Sequence, residues 1–339
     1  MNLWGIVNLV DFLQLRMYIF PLVCYYSVKI HHGGAGMGVT VAEYYGQRTD
    51  LDFPIIQPQN DVATCPFSSG NTCKKLKSGN APVCSVRKPD GTMWIVCSDR
   101  LCNTKKDLPL CEHQIHILHK IAQQLFHPNV ELSDICVKRE ERLNVVEGTK
   151  YNADYIISLA SGRSDFSGPD RMILEMQGGG ETTNTGKITA LLNRWATDNN
   201  RTNALLRSDT DASTLETNAW RRQQEQFIVK GNIAMKTWKG YGIAFCVGTL
   251  LYDYLMNKLA SANLPDLREY NWTLAIIAIK EDETAPVVPG PIPITVDESR
   301  MLFTNYQTFV QALINQGEPS LDAFRGEFVN LNNERVVIP

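Results

Sequence analysis

The chain has 339 residues, 44% of them apolar and 20% charged, enough to bury one large core or two ordinary ones. Its net charge of −3 excludes a global basic field, so a nucleic-acid partner would have to be met by a local basic surface. Nine cysteines, an odd total in a long chain, argue against a secreted disulfide scaffold.

Residues 3–30 are strongly apolar, but Asp11, Gln14 and Arg16 interrupt them. A membrane span wants roughly 20 nearly uncharged residues, and no small-residue cleavage site follows. The run His31-His32-Gly33-Gly34-Ala35-Gly36 reads as a break, and Met37 opens a sequence with the look of a domain start. Residues 1–36 are therefore read as an extension outside the working fold, with a membrane anchor as the alternative.

Residues 41–48 read as a short helix or turn. Residues 60–104 are rich in Gly, Pro, Ser, Asn and Cys and poor in apolar runs, so this stretch needs a metal staple to hold its shape. Apolar residues at helical spacing predict a helix over 109–126, and a second is expected over roughly 130–146. Strands are expected at Tyr155-Ile156-Ile157 and Met172-Ile173-Leu174, the second closed by Gly178-Gly179-Gly180. A helix over 185–197 follows. Another starts near Ser213, where Ser213 and Glu216 fit a capping box, and runs to about Trp238 with Trp220, Phe227, Ala234 and Trp238 on one stripe. Beyond it the pattern predicts a strand at 242–247, a helix at 250–259, a strand at 272–279, a proline-rich loop at 285–293 and a closing helix at 301–314. Such alternation points to an α/β protein with a mixed core. The expected organisation is an extension (1–36), a cysteine module (37–104) and a larger domain (105–339).

Six of the nine cysteines fall between 65 and 111. Cys84 and Cys97 flank Pro89-Asp90-Gly91, a turn in which Pro presets φ and Gly accepts a positive one. Centred on Asp90-Gly91, that turn sets Cys84 and Cys97 opposite each other on paired strands. Cys65 and Cys73 come from the preceding loop, and four thiolates meeting at one point suit tetrahedral zinc or iron. The alternative is a set of ordinary buried thiols. Cys102, Cys111, Cys136 and Cys246 read as buried or free. His113, His116 and His119 are spaced like metal ligands on a helix, but read as its polar face.

Leu174-Glu175-Met176-Gln177 has the form of a strand carrying Glu-x-Gln, and alternation puts Glu175 and Gln177 on one face. Asp154 stands at the start of the preceding strand, and a hairpin or adjacent strand can bring its carboxylate beside Glu175. Two carboxylates and a third polar group are what Mg²⁺-dependent phosphodiester hydrolysis requires. The usual PD-(D/E)XK motif has lysine in the third place; here Gln177 can only orient water or substrate by hydrogen bonds. Pro169-Asp170 before Glu175 imitates the literal motif, but leaves too few residues for a strand, a turn and a return. Glu147, with Glu141 in reserve, is the candidate for an additional acid. Read without context, Asp…Glu-x-Gln is a weak motif, and Asp154, Glu175 and Gln177 read more readily as surface polar residues at strand ends.

The combination resembles the NotI-type restriction endonucleases. Ala42-Glu43-Tyr44-Tyr45-Gly46-Gln47-Arg48, Thr64-Cys65-Pro66-Phe67, Val83-Cys84-Ser85-Val86 and Trp94-Ile95-Val96-Cys97-Ser98-Asp99-Arg100 carry the likeness. It covers roughly residues 41–255, and is poor over 101–150 and 178–212. The resemblance implies a PD-(D/E)XK restriction-endonuclease-like core, a mixed sheet flanked by helices, with a small N-terminal four-cysteine module. By it, Cys65, Cys73, Cys84 and Cys97 would hold a structural iron or zinc, and Asp154 and Glu175 would hold Mg²⁺, with Gln177 beside them. It further implies a type II enzyme cutting both strands of duplex DNA at a GC-rich palindrome, working as a homodimer in a bacterial or archaeal cytoplasm without a small-molecule cofactor.

Arg163, Arg221, Arg222, Gln226 and Lys230 are the candidates for DNA contact, the last four from a basic stretch that also holds Lys236 and Lys239 against Glu225. Arginine can read guanine and glutamine adenine; phosphate contact or a solvated helix face is open to each of them. Two other classes share these features: a repair or recombination nuclease of the same superfamily, and a non-enzymatic DNA-binding protein built on the cysteine module.

Overall fold

Tyr45 and Gly46, with φ of 48° and 71°, form a two-residue hairpin turn between strands β1 (Thr40–Tyr44) and β2 (Gln47–Arg48). Both central residues of such a turn need positive φ, which glycine supplies readily. The stretch expected to be a helix or turn is thus a turn between two strands. The computed structural model describes residues 38–144, 148, 150–160, 168–179, 182–198, 202–237, 241–315 and 320–339; the extension read at 1–36, and the candidates Glu147 and Arg163, lie outside the described residues.

A short helix α1 (Lys74–Lys77) precedes β3 (Val83–Arg87) and β4 (Met93–Ile95), completing a four-stranded antiparallel sheet of order β2-β1-β3-β4. Helix α2 (Ser98–Cys102) leads to α3 (Glu112–Leu125), which buries Ile117, Leu118, Ile121 and Leu125 along one face. Where a helix was expected over 130–146 there is instead a long strand, β5 (Ile135–Asn144). Its residues alternate between half-buried and exposed, the period of a strand. Lys138, Glu140 and Arg142 on the exposed row suit an edge strand, where charge discourages further pairing.

Strands β6 (Lys150–Leu159) and β7 (Arg171–Gln177), helices α4 (Thr185–Thr197), α5 (Asn203–Leu206) and α6 (Glu216–Lys236), strand β8 (Gly242–Gly248), helix α7 (Thr249–Leu259) and strand β9 (Leu274–Glu281) follow. Strand β10 (Ile294–Thr304) and helix α8 (Tyr306–Ile314) replace the single closing helix expected over 301–314. Met301 to Thr304 pair with β9, and the helix starts only where the Asn305 side chain accepts from the Gln307 N–H. The capping box expected at Ser213 does not form: Ser213 meets the Thr183 hydroxyl, and Thr214 donates to Glu216 at 2.6 Å. A separate ribbon, β11 (Gly326–Val329) and β12 (Arg335–Ile338), ends the chain.

The main sheet has the order β10-β9-β8-β7-β6-β5. Strands β5, β6 and β7 form an antiparallel meander, β7, β8 and β9 run parallel, and β10 returns antiparallel. The protein is therefore a mixed α/β fold with a mixed six-stranded sheet between helices. On one side, Ile173, Phe245 and Ile276 pack with Leu191 and Trp195 of α4, Phe227 of α6 and Phe309 of α8. On the other, Leu174, Cys246 and Ile277 pack with α3. Val41, Val86 and Trp94 of the small sheet join the first of these cores. Arg100 and Glu43, both fully buried and 2.7 Å apart, bind the small sheet to the proline-rich loop through Ser85 and the Ile292 backbone.

Candidate active site and cysteine cluster

The register of β6 and β7 pairs Tyr155 with Leu174, so the next row out places Asp154 opposite Glu175. Asp154 lies in the middle of its ten-residue strand rather than at its start. The two acids are locked by the backbone between them. Met176 N–H donates to Asp154 Oδ2 at 2.9 Å, and Asp154 N–H donates to Glu175 Oε1 at 3.4 Å. The third member of the cluster comes from α6: Lys230 Nζ donates to Glu175 Oε2 at 2.6 Å, with both side chains almost fully buried.

Lys230, a candidate DNA contact on a solvated helix, thus sits inside the acid pair. The signal was present in the sequence. Lys230 falls three residues after Phe227 and four before Ala234, which places it on the buried stripe of α6. Two carboxylates against one buried ammonium leave the cluster short of positive charge. Burial first, and then the charge of Asp154, push the Glu175 carboxyl up to about 7, with Lys230 opposing both. Burial also raises Asp154, against the Met176 N–H and Lys230. Such a donor set fits a divalent cation, whose charge would relieve both acids.

An open cleft of about 700 Å³ leads to Asp154 and Lys230, lined also by Thr104, Lys106, Glu140 and Arg142. Glu140 lies between the paired rows Arg139–Tyr155 and Glu141–Ala153 of β5 and β6, beside Asp154, and adopts a φ of 45°, an uncommon conformation for a residue with a side chain. Its charge is near enough to raise Asp154 further. The reserve candidate, Glu141, pairs with Ala153 one row away. A helical period over this segment hides Glu140, because the row it shares with Asp154 exists only in a strand. Asp170 of the literal motif stands just before β7, at the end far from Glu175.

Gln177 shares the face of Glu175 but is held elsewhere: its Oε1 accepts from Gln223 Nε2 of α6 at 2.8 Å. It borders a second hollow with Lys74, Lys75, Cys97, Ser98 and Gly178. The glycines that close β7 allow the small sheet this close. A Cβ at Gly178 would lie 2.8 Å from Ile95, and one at Gly179 2.6 Å from the Trp94 ring.

Cys65, Cys73, Cys84 and Cys97 are all buried and free of disulfides. A bridge between Thr64 and Thr72 draws Cys65 and Cys73 together, and Cys65, Cys73 and Cys84 share one small apolar cluster with Phe67. The turn before β4 is centred on Asp90 alone, with Lys88 N–H bonded to Thr92 O at 2.9 Å. The register then pairs Ser85 with Ile95, so Cys84 faces Val96 and Cys97 lies one residue further on. A bulge compensates, since both Val96 and Cys97 N–H groups donate to Cys84 O at 3.1 Å. Among the described residues, no group of three or more His, Cys, Asp or Glu side chains is arranged to hold a metal ion. The surroundings nonetheless suit thiolates. Gly46 N–H points at Cys84 Sγ at 3.3 Å, and backbone N–H groups reach Cys65 and Cys97 as well. Burial pushes the Cys65 thiol up to about 12 and the Cys84 and Cys97 thiols above their ordinary range, so a cation is needed to hold them as thiolates.

Arg221, Arg222 and Gln226 lie on the exposed side of α6, and Gln226 reaches the lip of the Asp154 cleft. The three histidines of α3 do not form one polar face. His113 is held near 4 by burial and bonds the carbonyls of Arg100 and Leu101, whereas His119 bonds Val130 O at 2.9 Å. No helix among the described residues is long and apolar enough to cross a membrane. No known protein family matches the chain, and no curated protein aligns with it significantly.

Proposed function

We propose that the protein is a Mg²⁺-dependent endonuclease that cuts both strands of duplex DNA at a specific sequence, with a core of the PD-(D/E)XK kind formed by α3 and β5 to β8. One observation carries this reading: Asp154 and Glu175 stand opposite on neighbouring strands, with a buried lysine on the second acid and an open polar cleft that reaches Asp154 and that lysine. A divalent ion bound by the two carboxylates would neutralise charge building on the scissile phosphate and acidify a water molecule. Asp154 and Glu175 would hold that ion, each of their carboxylates being fixed by a backbone N–H. Lys230 supplies the positive charge that Gln177 cannot carry, and is positioned to hold the water that attacks. Gln177, tied to Gln223, connects the strand to α6 and orients that helix against the cleft.

The four cysteines are proposed to hold a structural iron or zinc, since a closed four-thiolate shell has no place for substrate. Arg221, Arg222 and Gln226 are proposed DNA contacts; Lys230 moves from that group to the catalytic one. Two copies acting on a GC-rich palindrome in a prokaryotic cytoplasm complete the reading. Incubation of plasmid DNA with the protein and Mg²⁺ tests it. Discrete fragments are expected, with cleavage abolished and duplex binding retained in Glu175→Ala. A smear would replace site-specific cutting by a loose nuclease, and intact DNA at every protein concentration would refute the enzyme.

A further inference from the structure

Two hollows meet where α4 begins beside the small sheet. One, of about 420 Å³, is lined by Thr182 and Thr185 of the α4 approach and by Lys75 and Asn80 of the cysteine module, over an apolar floor that includes Val86. The second, of about 330 Å³, carries on from Lys75 and Asn80 to Gln177 at the end of β7. Together they form one groove. The chain holds 36 acids, yet among the described residues none lines either hollow. Three sets of donors in the groove have no acceptor. Helix α4 is thirteen residues long, and its cap residue Asn184 gives its side-chain amide to Asp211 O at 2.7 Å instead of capping. The N–H groups of Thr185 and Gly186 are thus left unbonded among the described residues, and a Cβ built at Gly186 would meet nothing within 4 Å, so the approach to them is open. Such a helix end carries about half a positive charge and draws anions. Thr182 is only 9% exposed, and its hydroxyl has no hydrogen-bond partner among the described residues. A buried hydroxyl left so costs free energy that an acceptor on a ligand would restore. Across the groove, the Lys75 ammonium has no ion pair among the described residues, whereas its neighbour Lys74 is neutralised by Asp99 at 2.8 Å.

We infer that this groove holds the sugar–phosphate backbone of one DNA strand on the flank of the cut. A phosphate sits on the N-terminus of α4, bonded by Thr182 and faced by Lys75, and the apolar floor takes the sugars beside it. Donors without acids select a phosphate over a cation, and helix N-termini are regular partners of DNA phosphates. That the phosphate belongs to the substrate strand rests on the nuclease reading. The groove ends at Gln177, two residues beyond Glu175 on the same strand face and about 7 Å along it, so a strand cut at the carboxylates passes its entrance. A free phosphate would meet the same donors at α4, but would make no use of a groove that continues to β7. The cysteine module then forms one wall of the DNA site through Lys75 and Asn80, apart from any metal it holds.

Duplex binding by the full chain in Ca²⁺, measured over a range of salt concentrations, tests this. Thr185→Glu sets a carboxylate where the phosphate would lie. An acid in the first turn favours a helix, so the thermal unfolding midpoint should stay the same or rise while duplex binding weakens about tenfold. Lys75→Glu should weaken it about as much, and each variant should flatten the slope of log K against log salt by about 1. Thr182→Val removes the hydroxyl alone and should weaken binding by about threefold at an unchanged midpoint. Lys120→Glu, on α3 across the main sheet from α4, should change binding less than about threefold. Unchanged binding in Thr185→Glu and Lys75→Glu overturns the inference even where the wild-type protein cuts DNA. An equal loss in Lys120→Glu does so too, since net charge would then explain all three. Weakened binding in the groove variants of a protein that never cuts DNA keeps the groove and removes only the nuclease. Inorganic phosphate bound by the wild-type protein as tightly as the duplex would make this a site for a free anion and overturn the backbone assignment.

Discussion

Replacing Lys230 by methionine removes the cation bonded to Glu175 while keeping most of the buried volume of the side chain. Lys230 Nζ lies 2.6 Å from Glu175 Oε2, with side-chain exposures of 2% and 4%. Removing one partner of so buried a pair costs about 3–5 kcal/mol when the other must stay charged. Glu175, however, has a route of escape. Its carboxyl is already pushed up to about 7 by burial and by Asp154. Below that pH it is largely protonated in the folded wild-type protein, and the methionine variant leaves no ionised glutamate behind. The loss should therefore be about 3 kcal/mol or more at pH 8 and under about 1 kcal/mol at pH 5. Urea unfolding of both proteins at the two pH values, in chelator and without divalent metal, measures the difference. The same variant should lose cleavage by about 100-fold or more, with duplex binding in Ca²⁺ changed by less than about threefold, because a buried lysine bonded to a carboxylate has little to give a phosphate. A stability loss equal at pH 5 and pH 8 would refute the coupling of Lys230 to an ionised Glu175. A parallel loss of DNA binding would return Lys230 to the interface.

The raised carboxyl of Glu175 also fixes a sign for the wild-type protein without metal. Its folded value exceeds the unfolded 4.5, so its contribution to stability is fully present below pH 4.5 and is lost as pH rises through about 7. Mg²⁺ should reverse this loss above pH 7, raising the melting temperature there but not at pH 5; an equal rise at both would remove the ion from these carboxylates. Arg100→Met strands the fully buried Glu43 and should destabilise by about 3–5 kcal/mol, seen as a lowered urea midpoint; a change under 1 kcal/mol would mean that the pair is hydrated. Gly179→Ala drives a Cβ to 2.6 Å from the Trp94 ring. It should cost about 1–3 kcal/mol and lower cleavage with it, whereas an unchanged melting temperature would show that Trp94 can yield. Cys84→Ser should reduce bound iron or zinc per chain, measured by elemental analysis, to under about one-tenth and destabilise the fold; wild-type metal content would leave the cysteines as ordinary buried thiols.

Periodicity recovers the helices at 185–197 and 250–259 because each shows its period to one buried face, whereas the strands at 171–177 and 242–248 are legible as short apolar runs, being buried on both faces. Strand β5 was missed because it is an edge, half-buried and heavily charged, with no continuous apolar run to set against a helix. The closing helix was drawn too early because Met301 to Thr304 are apolar enough for either element, and only pairing with β9 decides between them. At the site, Asp154 and Glu175 were legible from strand parity. Glu140 was hidden behind the wrong element assignment, and Lys230 behind the habit of reading a lysine on a helix as solvated. The Trp220, Phe227 and Ala234 stripe already placed it inward.

Residue order alone determined the acids, the cysteines, the glycines after Gln177 and the face that each side chain takes on its own element, because these follow from local chemistry and from the 2.0 and 3.6 residue periods. Tertiary structure decided which elements meet. A helix more than fifty residues downstream delivers Lys230 to Glu175, and two adjacent glycines let the cysteine-bearing sheet close against the end of β7. Contacts of that range depend on how the whole sheet orders its strands and buries its faces, which no local pattern encodes.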